Sequence, residues 1–312
     1  MPDGFIVVDK PVGMTSHDVV ARVRRCFGIK RVGHTGTLDP FATGVLPVAM
    51  GGGTKAIQFL DESTKVYQAV MRLGSATDTQ DCTGTVLFEG DCSSVTPELF
   101  HKVITAFIGS ISQIPPMYSA IKQGGVPLYK LARKGETVER AARNIFIESI
   151  MVDSFVLPDI AITVRCSKGT YIRTLADDIG RELGCGAHLV QLRRTASGLF
   201  DLSRSVTMAE LVADGAGEAL QSRMISTAAA LGHLRSVQLD AAGCHKVRHG
   251  IPLVREDVGL SADLIAAGDT VQLLCGEEPA AVAEAESSWG GDGARLRLLR
   301  VFDQDCPLHS AR

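Results

Sequence analysis

The chain has 312 residues, of which 45% are hydrophobic and 21% are charged, and its net charge is −3. These values fit a globular protein with one large domain and a smaller one. No apolar run approaches the length of a membrane span, and Asp3 and Asp9 flank an apolar segment that is too short for a signal peptide. We therefore expect a soluble, cytoplasmic protein that does not associate with a membrane.

Eight cysteines are spread along the chain, and no two of them form a C-x-x-C pair. In a chain of this length without an export signal, reduced and mostly buried thiols are favoured over a disulfide framework. Zinc also lacks its usual local pair of ligands. The sequence therefore predicts neither disulfides nor a metal site.

The charges are unevenly distributed along the chain. The net charge argues mildly against a nucleic-acid-binding protein, but residues 22–31 and 122–143 are basic, whereas residues 256–286 are acidic. Because local fields decide binding, a basic face on an acidic protein is compatible with these values. The same runs also fit solvated helix faces, and charge alone does not distinguish the two interpretations.

The beginning of the chain predicts a strand, a helix and a long loop. The strand is expected at residues 5–8, and the helix has Ser16 as its N-cap and Gly28 at its end. Residues 33–47 contain three glycines, two prolines and three threonines, which disfavour both a helix and an ordinary strand. This loop carries the imidazole of His34 and the carboxylate of Asp39. A long, glycine-rich loop of this kind indicates a functional role.

In the middle of the chain, predicted helices alternate with predicted strands, and one segment, the excursion at residues 109–143, is expected to leave the core. Helices are expected at residues 55–60, 96–107, 128–134 and 171–183, and strands at 67–73, 145–156, 160–166 and 188–197. Residues 76–84 predict a polar turn in which Asp78 and Asp81 bond the backbone rather than a metal. Within residues 109–143, Tyr118 and Tyr129 alternate with basic residues. This pattern suits base stacking and phosphate contacts, but equally a helix packed through its tyrosines.

The rest of the chain contains one cation in an unfavourable position and a shift in composition. Arg173 falls in the first turn of its predicted helix, where a cation opposes the helix macrodipole, so we expect a carboxylate from elsewhere to face it. A short helix at 207–212 and a connector at 215–234 follow. The strand-like runs 270–275, 280–284 and 295–302 then predict a small, separate β-rich module.

Five ordered motifs carry a resemblance to a known family. They are VVDKPVGMTSHD, RVGHTGTLDPFATGVLP, KVYQAVMRLGSATDTQD, IPPMYSAIKQGGVPLYKLAR and CSKGTYIRTLADDIGRELGCGAHLVQLRRT. Together, over about residues 4–210, the chain resembles the bacterial tRNA pseudouridine-55 synthases of the TruB family. The resemblance implies an α+β fold, in which helices flank a mixed, mainly antiparallel central sheet. It further implies a catalytic domain at 1–234 with a thumb at about 109–143, and a PUA-like RNA-binding domain at 235–312.

The resemblance also implies roles for individual residues, each at the position that matches a family motif. Asp39 matches the catalytic aspartate, His34 the histidine that takes the place of the flipped base, and Tyr67 the tyrosine that stacks on the uracil. The other matching positions are Arg173, which pairs with the catalytic carboxylate, Tyr171 and Leu192, which line the pocket, and Lys10, which supports the site from the DKP-G turn. Taken alone, an aspartate such as Asp39 before a proline is equally typical of a turn. A tyrosine such as Tyr67 on an alternating strand is equally typical of the core.

The chemistry that the resemblance implies needs neither cofactor nor metal, because isomerisation of uridine retains every atom and involves no redox step. Asp39 would act either as a nucleophile at C1′ or as a base that removes the C2′ proton, and the sequence does not choose between them. We expect Arg173 to lower the pKa of Asp39. A glycosidase would need a second carboxylate opposite Asp39, and no motif supplies one.

The implied partner is the T-arm of tRNA, bound by a monomer without a guide RNA and with the target base flipped out of its stack. Two other interpretations remain. An RNA-folding protein with the same pocket is disfavoured by the intact Asp39 and Arg173. A guide-RNA-dependent relative is disfavoured by the bacterial-style GHTG motif, the thumb segment and the lack of a basic tail.

Overall fold

The computed structural model of the chain describes residues 3–213, 215–254, 257–258, 265–287 and 295–302. Cys306 and parts of the acidic stretch, at 256 and 259–264, lie outside these ranges. Among the described residues, no helix has the length and apolar character that crossing a membrane requires.

The strands, in chain order, are β1 (Gly4–Lys10), β2 (Val32–His34), β3 (Thr43–Met50), β4 (Thr64–Leu73), β5 (Ser75–Thr77), β6 (Val86–Glu89), β7 (Gly109–Gln113), β8 (Lys122–Gln123), β9 (Val126–Pro127), β10 (Arg143–Val156), β11 (Asp159–Ser167), β12 (Ala187–Ser197), β13 (Phe200–Asp201), β14 (Ser205–Val206), β15 (Arg235–Gln238), β16 (Leu253–Val254), β17 (Thr270–Cys275), β18 (Glu278–Ala285) and β19 (Arg295–Val301). The α-helices are α1 (Ser16–Cys26), α2 (Gly53–Ala56), α3 (Pro97–Thr105), α4 (Leu128–Ala132), α5 (Ile172–Glu182), α6 (Ala216–Ala219), α7 (Thr227–Ala230) and α8 (Ala241–Arg248). Short 3-10 helices lie at Ile57–Phe59, Leu202–Arg204, Glu210–Val212 and Gln221–Arg223.

A ten-stranded sheet forms the centre of the molecule. Its strand order is β14-β1-β3-β12-β4-β11-β10-β7, with β2 beside β3 and β13 beside β12. The pairs β1–β14 and β3–β12 are parallel and the others antiparallel. The expected α+β fold with a mixed, mainly antiparallel sheet is therefore confirmed.

A second, five-stranded sheet has the order β15-β17-β18-β19-β16 and forms the expected β-rich module near the end of the chain. Its strands and helix α8 enclose a core of their own. Val282 and Phe302 of this module also pack with Phe5 and Val45 of the central sheet in a shared hydrophobic cluster. Lys55 Nζ adds hydrogen bonds to the carbonyls of Val301 and Phe302, at 3.3 and 3.2 Å. The second sheet is therefore packed against the first rather than tethered by a linker.

Helix α1 illustrates how local sequence determines an element and ties it to the site. Val19, Val20 and Val23 face the core, and the arginines take the outer face, as predicted. The N-cap, however, is Thr15 rather than Ser16: Thr15 and Asp18 form a capping box. The prediction of Ser16 as the cap was wrong by one residue, because the Ser16 hydroxyl bonds the backbone of Leu38 instead.

The predicted loop at 33–47 is shorter in the structure. Its first residues belong to β2 and its last residues to β3, so the irregular part is confined to residues 35–42, which we term the Asp39 loop. Gly44 and Pro47 misled the interpretation, because a proline or glycine normally disfavours a central strand. At Gly44 a β-carbon would lie 2.1 Å from the carbonyl oxygen of Arg194, so close packing against β12 requires the glycine.

The excursion predicted at 109–143 also begins later than expected. Residues Gly109–Gln113 are strand β7, which pairs with β10 at the edge of the central sheet. Only residues 114–142 leave the sheet, as a short hairpin of β8 and β9 followed by α4. We refer to residues 114–142 as the overhang. The helix predicted at 128–134 ends at Ala132, and the one predicted at 207–212 is reduced to the 3-10 turn Glu210–Val212.

The prediction about cysteines was wrong for one pair. Cys244 of α8 and Cys275 of β17 are joined by a disulfide in the core of the second sheet. Their separation in sequence gave no sign of this pairing, which only the packing of α8 on β17 brings about. Among the free cysteines of the described chain, Cys166 and Cys185 are buried, whereas Cys82 is exposed.

Candidate active site

A cavity of about 990 Å³ opens where the Asp39 loop crosses the face of the central sheet. Strands β4 and β12 form its floor, and the first turn of α5 and the polar turn 78–85 form one side. The overhang contributes Tyr118, Ser119, Tyr129 and Arg133 to its lining. Of the predicted site residues, Asp39, Tyr67, Tyr171, Arg173 and Leu192 all line this cavity.

The backbone around Asp39 is fixed from both sides. The Ser16 hydroxyl accepts a hydrogen bond from Leu38 N at 2.9 Å and donates to the Leu38 carbonyl at 3.1 Å. The Pro40 carbonyl accepts from Gly13 N at 2.7 Å. Because the residues before and after it are held, Asp39 presents its carboxylate to the cavity with 34% of the side-chain surface exposed.

Arg173 joins three parts of the site. Its Nε lies 3.0 Å from Asp39 Oδ2, and its side chain is only 4% exposed. Nη1 donates to the Thr79 carbonyl at 2.8 Å, and Nη2 donates to the Tyr118 carbonyl of the overhang at 2.7 Å. The carboxylate partner expected for a cation in this first helical turn is present. Arg173 thus fixes the position of Asp39 relative to the turn 78–85 and the overhang.

A second carboxylate lies on the other side of Arg173. Asp81 Oδ2 is 3.5 Å from Arg173 Nη1, while Asp81 Oδ1 accepts hydrogen bonds from Thr83 N and from the hydroxyls of Thr79 and Thr83. The backbone-bonding role predicted for Asp81 is therefore present. The sequence interpretation missed its additional contact with Arg173, because nothing local to the turn indicates which helix packs against it.

The pKa of Asp39 lies above the ordinary aspartate value. Its cause is removal of the carboxylate from water; Arg173 opposes the rise, while Asp81 adds to it. Arg173 therefore lowers the pKa of Asp39 as predicted, but the loss of hydration in the pocket outweighs its effect. Proton affinity is raised at a carboxylate that still faces the cavity, which suits a group that forms a bond or takes a proton.

Tyr67 and Leu192 lie on neighbouring strands of the cavity floor. Residues 65, 67 and 69 of β4 share the buried face, and β12 places Leu192 opposite Ala69 and Arg194 opposite Tyr67. Burial raises the pKa of the Tyr67 phenol, so the ring remains neutral. A neutral aromatic ring beside an aliphatic side chain forms an apolar surface on which a flat base can stack.

Tyr171 occupies the N-cap position of α5, immediately before Ile172 and Arg173. Its backbone N donates to Gln113 Oε1 at 2.8 Å, and Gln113 Nε2 donates to its carbonyl at 3.1 Å. Loss of hydration raises the pKa of its phenol. Strand β7 therefore orients the start of α5 and with it both Tyr171 and Arg173.

Two predicted residues do not reach the cavity wall. Lys10 is fully buried, and its Nζ donates to the carbonyls of Pro11, Met14 and Pro40 at 3.0, 2.8 and 3.4 Å. Burial lowers the pKa of Lys10 to about 8, although Asp39 opposes this. Because Lys10 bonds the Pro40 carbonyl next to Asp39, it holds the Asp39 loop in place and does not line the cavity.

His34 lies behind the cavity, at the end of β2. Its ring contacts the ring of His17 edge-on, with 5.5 Å between centroids, and His17 itself lines the cavity. Burial lowers the pKa of His34, and His17 adds to this, so the imidazole is held neutral. Among the described residues, His34 Nδ1 is buried and has no hydrogen-bond partner.

Two buried cations of the cavity wall were missed by the sequence interpretation. Arg194 donates from Nε to the Val45 carbonyl at 2.8 Å and from Nη2 to the Gly36 carbonyl at 3.1 Å. Lys65 lies two residues before Tyr67 on β4. The alternation of β4 could have identified Lys65, because a lysine in phase with Tyr67 must share its buried face. Within the described ranges, no group of His, Cys, Asp or Glu is arranged to hold a metal.

Comparison with known proteins decides the family. A model described as the TruB family pseudouridylate synthase N-terminal domain matches residues 24–172. A model described as the tRNA pseudouridylate synthase B C-terminal domain matches residues 173–231. The chain belongs to the TruB family. It is therefore a pseudouridine synthase, an isomerase that modifies RNA.

Relatives in this family match over almost the whole chain. The tRNA pseudouridine synthase B of Geobacter sulfurreducens is 54% identical over 303 residues, which cover 96% of this chain and 100% of that protein. The protein of the same name from Geotalea uraniireducens is 53% identical and covers 97% of this chain and 98% of its own length. A solved Cbf5–Nop10–Gar1 complex contains a similar fold, with a TM-score of 0.74 and 30% identity, over 97% of this chain and 85% of that one.

Proposed function

We propose that this TruB-family protein isomerises uridine 55 in the T-loop of tRNA to pseudouridine. The observation that carries the proposal is the ionisable Asp39, held against Arg173 at 3.0 Å, with its carboxylate facing a cavity large enough for a flipped nucleotide. The tRNA substrate is supported by the relatives called tRNA pseudouridine synthase B at 54% and 53% identity. The T-loop position is supported by the motif resemblance.

In the proposed reaction, the target uridine leaves its stack and enters the cavity, which costs roughly a few kcal/mol of stacking and pairing free energy. Stacking of the uracil on Tyr67, with Leu192 and Tyr171 around it, offsets part of this cost. His34, at the end of β2 beside the Asp39 loop, helps to displace the target base and takes its place in the RNA. Lys10 acts indirectly, through the Pro40 carbonyl.

Asp39 then assists cleavage of the bond from C1′ to N1. In one route its carboxylate attacks C1′ and forms an ester that the uracil later displaces through C5. In the other route it removes the C2′ proton as the uracil leaves, so that a glycal forms, and it returns this proton to C2′ as C5 attacks C1′. In both routes C5 loses its proton and N1 gains one, so the product is an isomer of the substrate. Arg173 orients Asp39 and favours its ionised form.

We further propose that the protein acts as a monomer without a guide RNA. The motif resemblance and the 54% identity over nearly full length to a tRNA pseudouridine synthase B support this, compared with 30% identity to the chain from the Cbf5–Nop10–Gar1 complex. Residues 1–234 would form the catalytic domain and residues 235–312 a domain that contacts RNA. The basic residues on the overhang would contact the phosphates.

The decisive experiment is to incubate the purified protein alone with unmodified tRNA, or with an isolated T-arm, and to map pseudouridine by position. We expect modification at uridine 55 and none in a T-arm with cytidine there. Modification only at other positions would refute the assigned target, and activity only after adding another RNA would refute guide independence. If tRNA folding improves equally with an Asp39→Asn variant, the RNA-folding role is independent of catalysis. Absence of turnover in the wild type would then leave that role as the function.

A further inference from the structure

A lysine that the proposed mechanism does not use lies on the floor of the cavity. Lys65 lines the cavity, yet the residue is only 8% exposed. It precedes Tyr67 by two positions on β4, so the two side chains leave the same face of the strand, roughly 7 Å apart along it. A buried ammonium therefore lies next to the ring on which the uracil would stack.

Lys65 has fewer fixed partners than the other buried cations of the site. Lys10, Arg173 and Arg194 each donate two or three hydrogen bonds to backbone carbonyls or to Asp39. In the described part of the chain, Lys65 Nζ makes one hydrogen bond, of 3.3 Å, to the Ser197 hydroxyl. Glu62 Oε1 lies 3.8 Å away, beyond hydrogen-bond distance. Because an ammonium has three donors, Lys65 retains donors for a ligand.

Positive charge is concentrated around Lys65. A β-carbon on Gly36 would lie 3.1 Å from Lys65 Nζ and 3.6 Å from Arg194 Nη1, so both cations abut the same point of the Asp39 loop. Glu62 is the carboxylate that faces them, and Cys166 and Lys168 are the other titratable groups nearby. Burial lowers the pKa of Lys65, and Arg194 adds to this. A buried cation with unused donors is costly for stability, which points to an anion that forms during the reaction.

The proposed isomerisation creates such an anion. When the bond from C1′ to N1 breaks, its electron pair stays with the uracil, which becomes an anion delocalised over N1, O2 and O4. The pair returns to bonding when C5 attacks C1′ and C5 then loses its proton. Arg173 already bonds Asp39 and two carbonyls, and Arg194 bonds two carbonyls. Among the described residues, Lys65 is the buried cation of the cavity with the fewest hydrogen bonds, and it lies two positions from Tyr67 on the same face of β4.

We propose that Lys65 is a further catalytic residue, whose ammonium donates a hydrogen bond to a uracil oxygen and stabilises the uracil anion as the base leaves C1′. This inference rests on the proposed function. Its physical basis is that a fixed donor in a site of low polarity stabilises a charge that develops only in the transition state. Lys65 should therefore affect the rate of bond cleavage more than the affinity for RNA.

The test compares Lys65→Met with the wild type under single-turnover conditions, on a T-arm carrying uridine at position 55. We expect the rate constant to fall about 100-fold, the size of effect seen when one donor to a developing anion is removed. The dissociation constant for the T-arm should change less than about 3-fold. Lys102→Met, which removes an exposed lysine on α3 outside the cavity, is the matched control and should behave as the wild type.

A second substrate separates stabilisation of an anion from general support of the site. With 5-fluorouridine at the target position, fluorine withdraws electrons and makes the departing anion less basic. The loss of rate in Lys65→Met, measured as consumption of the target nucleotide, should then shrink to about 10-fold. A purely structural role for Lys65 would give equal losses with both substrates, and that result would overturn the proposal.

Other outcomes are equally decisive. A folded Lys65→Met variant with a rate within about 3-fold of the wild type, or with weaker binding as its only defect, would also overturn the proposal. If the Met variant does not fold, Lys65→Gln preserves a polar group for Ser197 and undergoes the same measurements. Failure of the wild type to convert uridine 55 would instead refute the proposed function, so the two failures are distinguishable.

Discussion

The Asp39 loop at 35–42 and the overhang at 114–142 both border the cavity, but they are held by different interactions. The loop is bonded from below by Ser16, Lys10 and Arg194, all of which are buried. The overhang is largely exposed, and the hydrogen bond from Arg173 to the Tyr118 carbonyl ties it to α5. Chemistry requires a carboxylate held to within a fraction of an ångström, whereas RNA binding tolerates adjustment of a surface. This comparison predicts that loop variants change rates and overhang variants change affinities.

The largest expected effect is that of Asp39→Asn. We expect the single-turnover rate to fall on the order of 10⁴-fold or more, because the amide neither attacks C1′ nor takes a proton. Binding of the T-arm, measured by filter retention or anisotropy, should persist. Asp91→Asn is the control, since it removes a carboxylate from an exposed turn where Asp91 bonds Ser93. Residual turnover above about 1% in Asp39→Asn would contradict the assigned role.

A smaller loss of rate, about 10²- to 10³-fold, is expected for Arg173→Met. Arg173 opposes the upward shift of the Asp39 pKa, so its removal should raise that pKa further. Because the reaction needs the carboxylate, the acid limb of the rate–pH profile should move to higher pH in the variant. Arg165→Met, which breaks an exposed ion pair with Glu148, should leave the profile unchanged. An acid limb at the same pH in Arg173→Met would argue against the coupling.

Lys10→Met removes the buried ammonium that bonds the Pro40 carbonyl, and its effect is measured on the stability of the protein. The pKa of Lys10 is lowered from 10.5 to about 8, so between these values the unfolded chain binds more protons at this site than the folded chain. The free energy of unfolding of the wild type should therefore rise with pH relative to that of Lys10→Met. The slope should be at most about 1.4 kcal/mol per pH unit.

Urea denaturation of both proteins at several pH values between neutrality and pH 10 measures this difference. If the free energy of unfolding differed between the wild type and Lys10→Met by the same amount at every pH, the Lys10 ammonium would not be desolvated in the folded protein.

The smallest expected effect belongs to the overhang. Arg133 lies over the ring of Tyr129, 5.5 Å from its centroid, and both residues line the cavity. For Arg133→Ala we expect the dissociation constant of the T-arm to rise about 3- to 10-fold. The slope of its logarithm against the logarithm of salt concentration should fall by about one, which corresponds to the loss of one phosphate contact. The rate at saturating RNA should stay near that of the wild type. A loss of the rate at saturating RNA with unchanged affinity would contradict the prediction that overhang variants change affinity rather than rate.

The sequence predicted most of the elements because their signals are local. The alternation in β4, the apolar spacing of α5 and the valine spacing of α1 depend on neighbouring residues. The errors arose where a distant contact overrides a local signal. Gly44 and Pro47 suggested a loop, yet both lie in β3, between β1 and β12. Residues 109–113 were assigned to the excursion, yet β10 pairs with them.

For the site, the sequence identified the residues and the structure supplied their arrangement. The motifs named Asp39, Tyr67, Arg173, Tyr171 and Leu192, all of which line one cavity. The positions of Lys10 and His34 behind the cavity wall, and the contact of Asp81 with Arg173, depend on packing between distant segments. These contacts could not be read from spacing along the chain.

The sequence by itself determined the family, the alternation that places Tyr67 on a buried face, and the presence of Asp39 in an irregular loop. Only the tertiary structure decided the net direction of the Asp39 pKa, because desolvation depends on what covers the carboxylate. It also decided that Cys244 meets Cys275 and that Lys65 lies beside Tyr67 with unused donors. Local order follows from residues that are neighbours in the chain, whereas charge and reactivity depend on residues that folding makes neighbours.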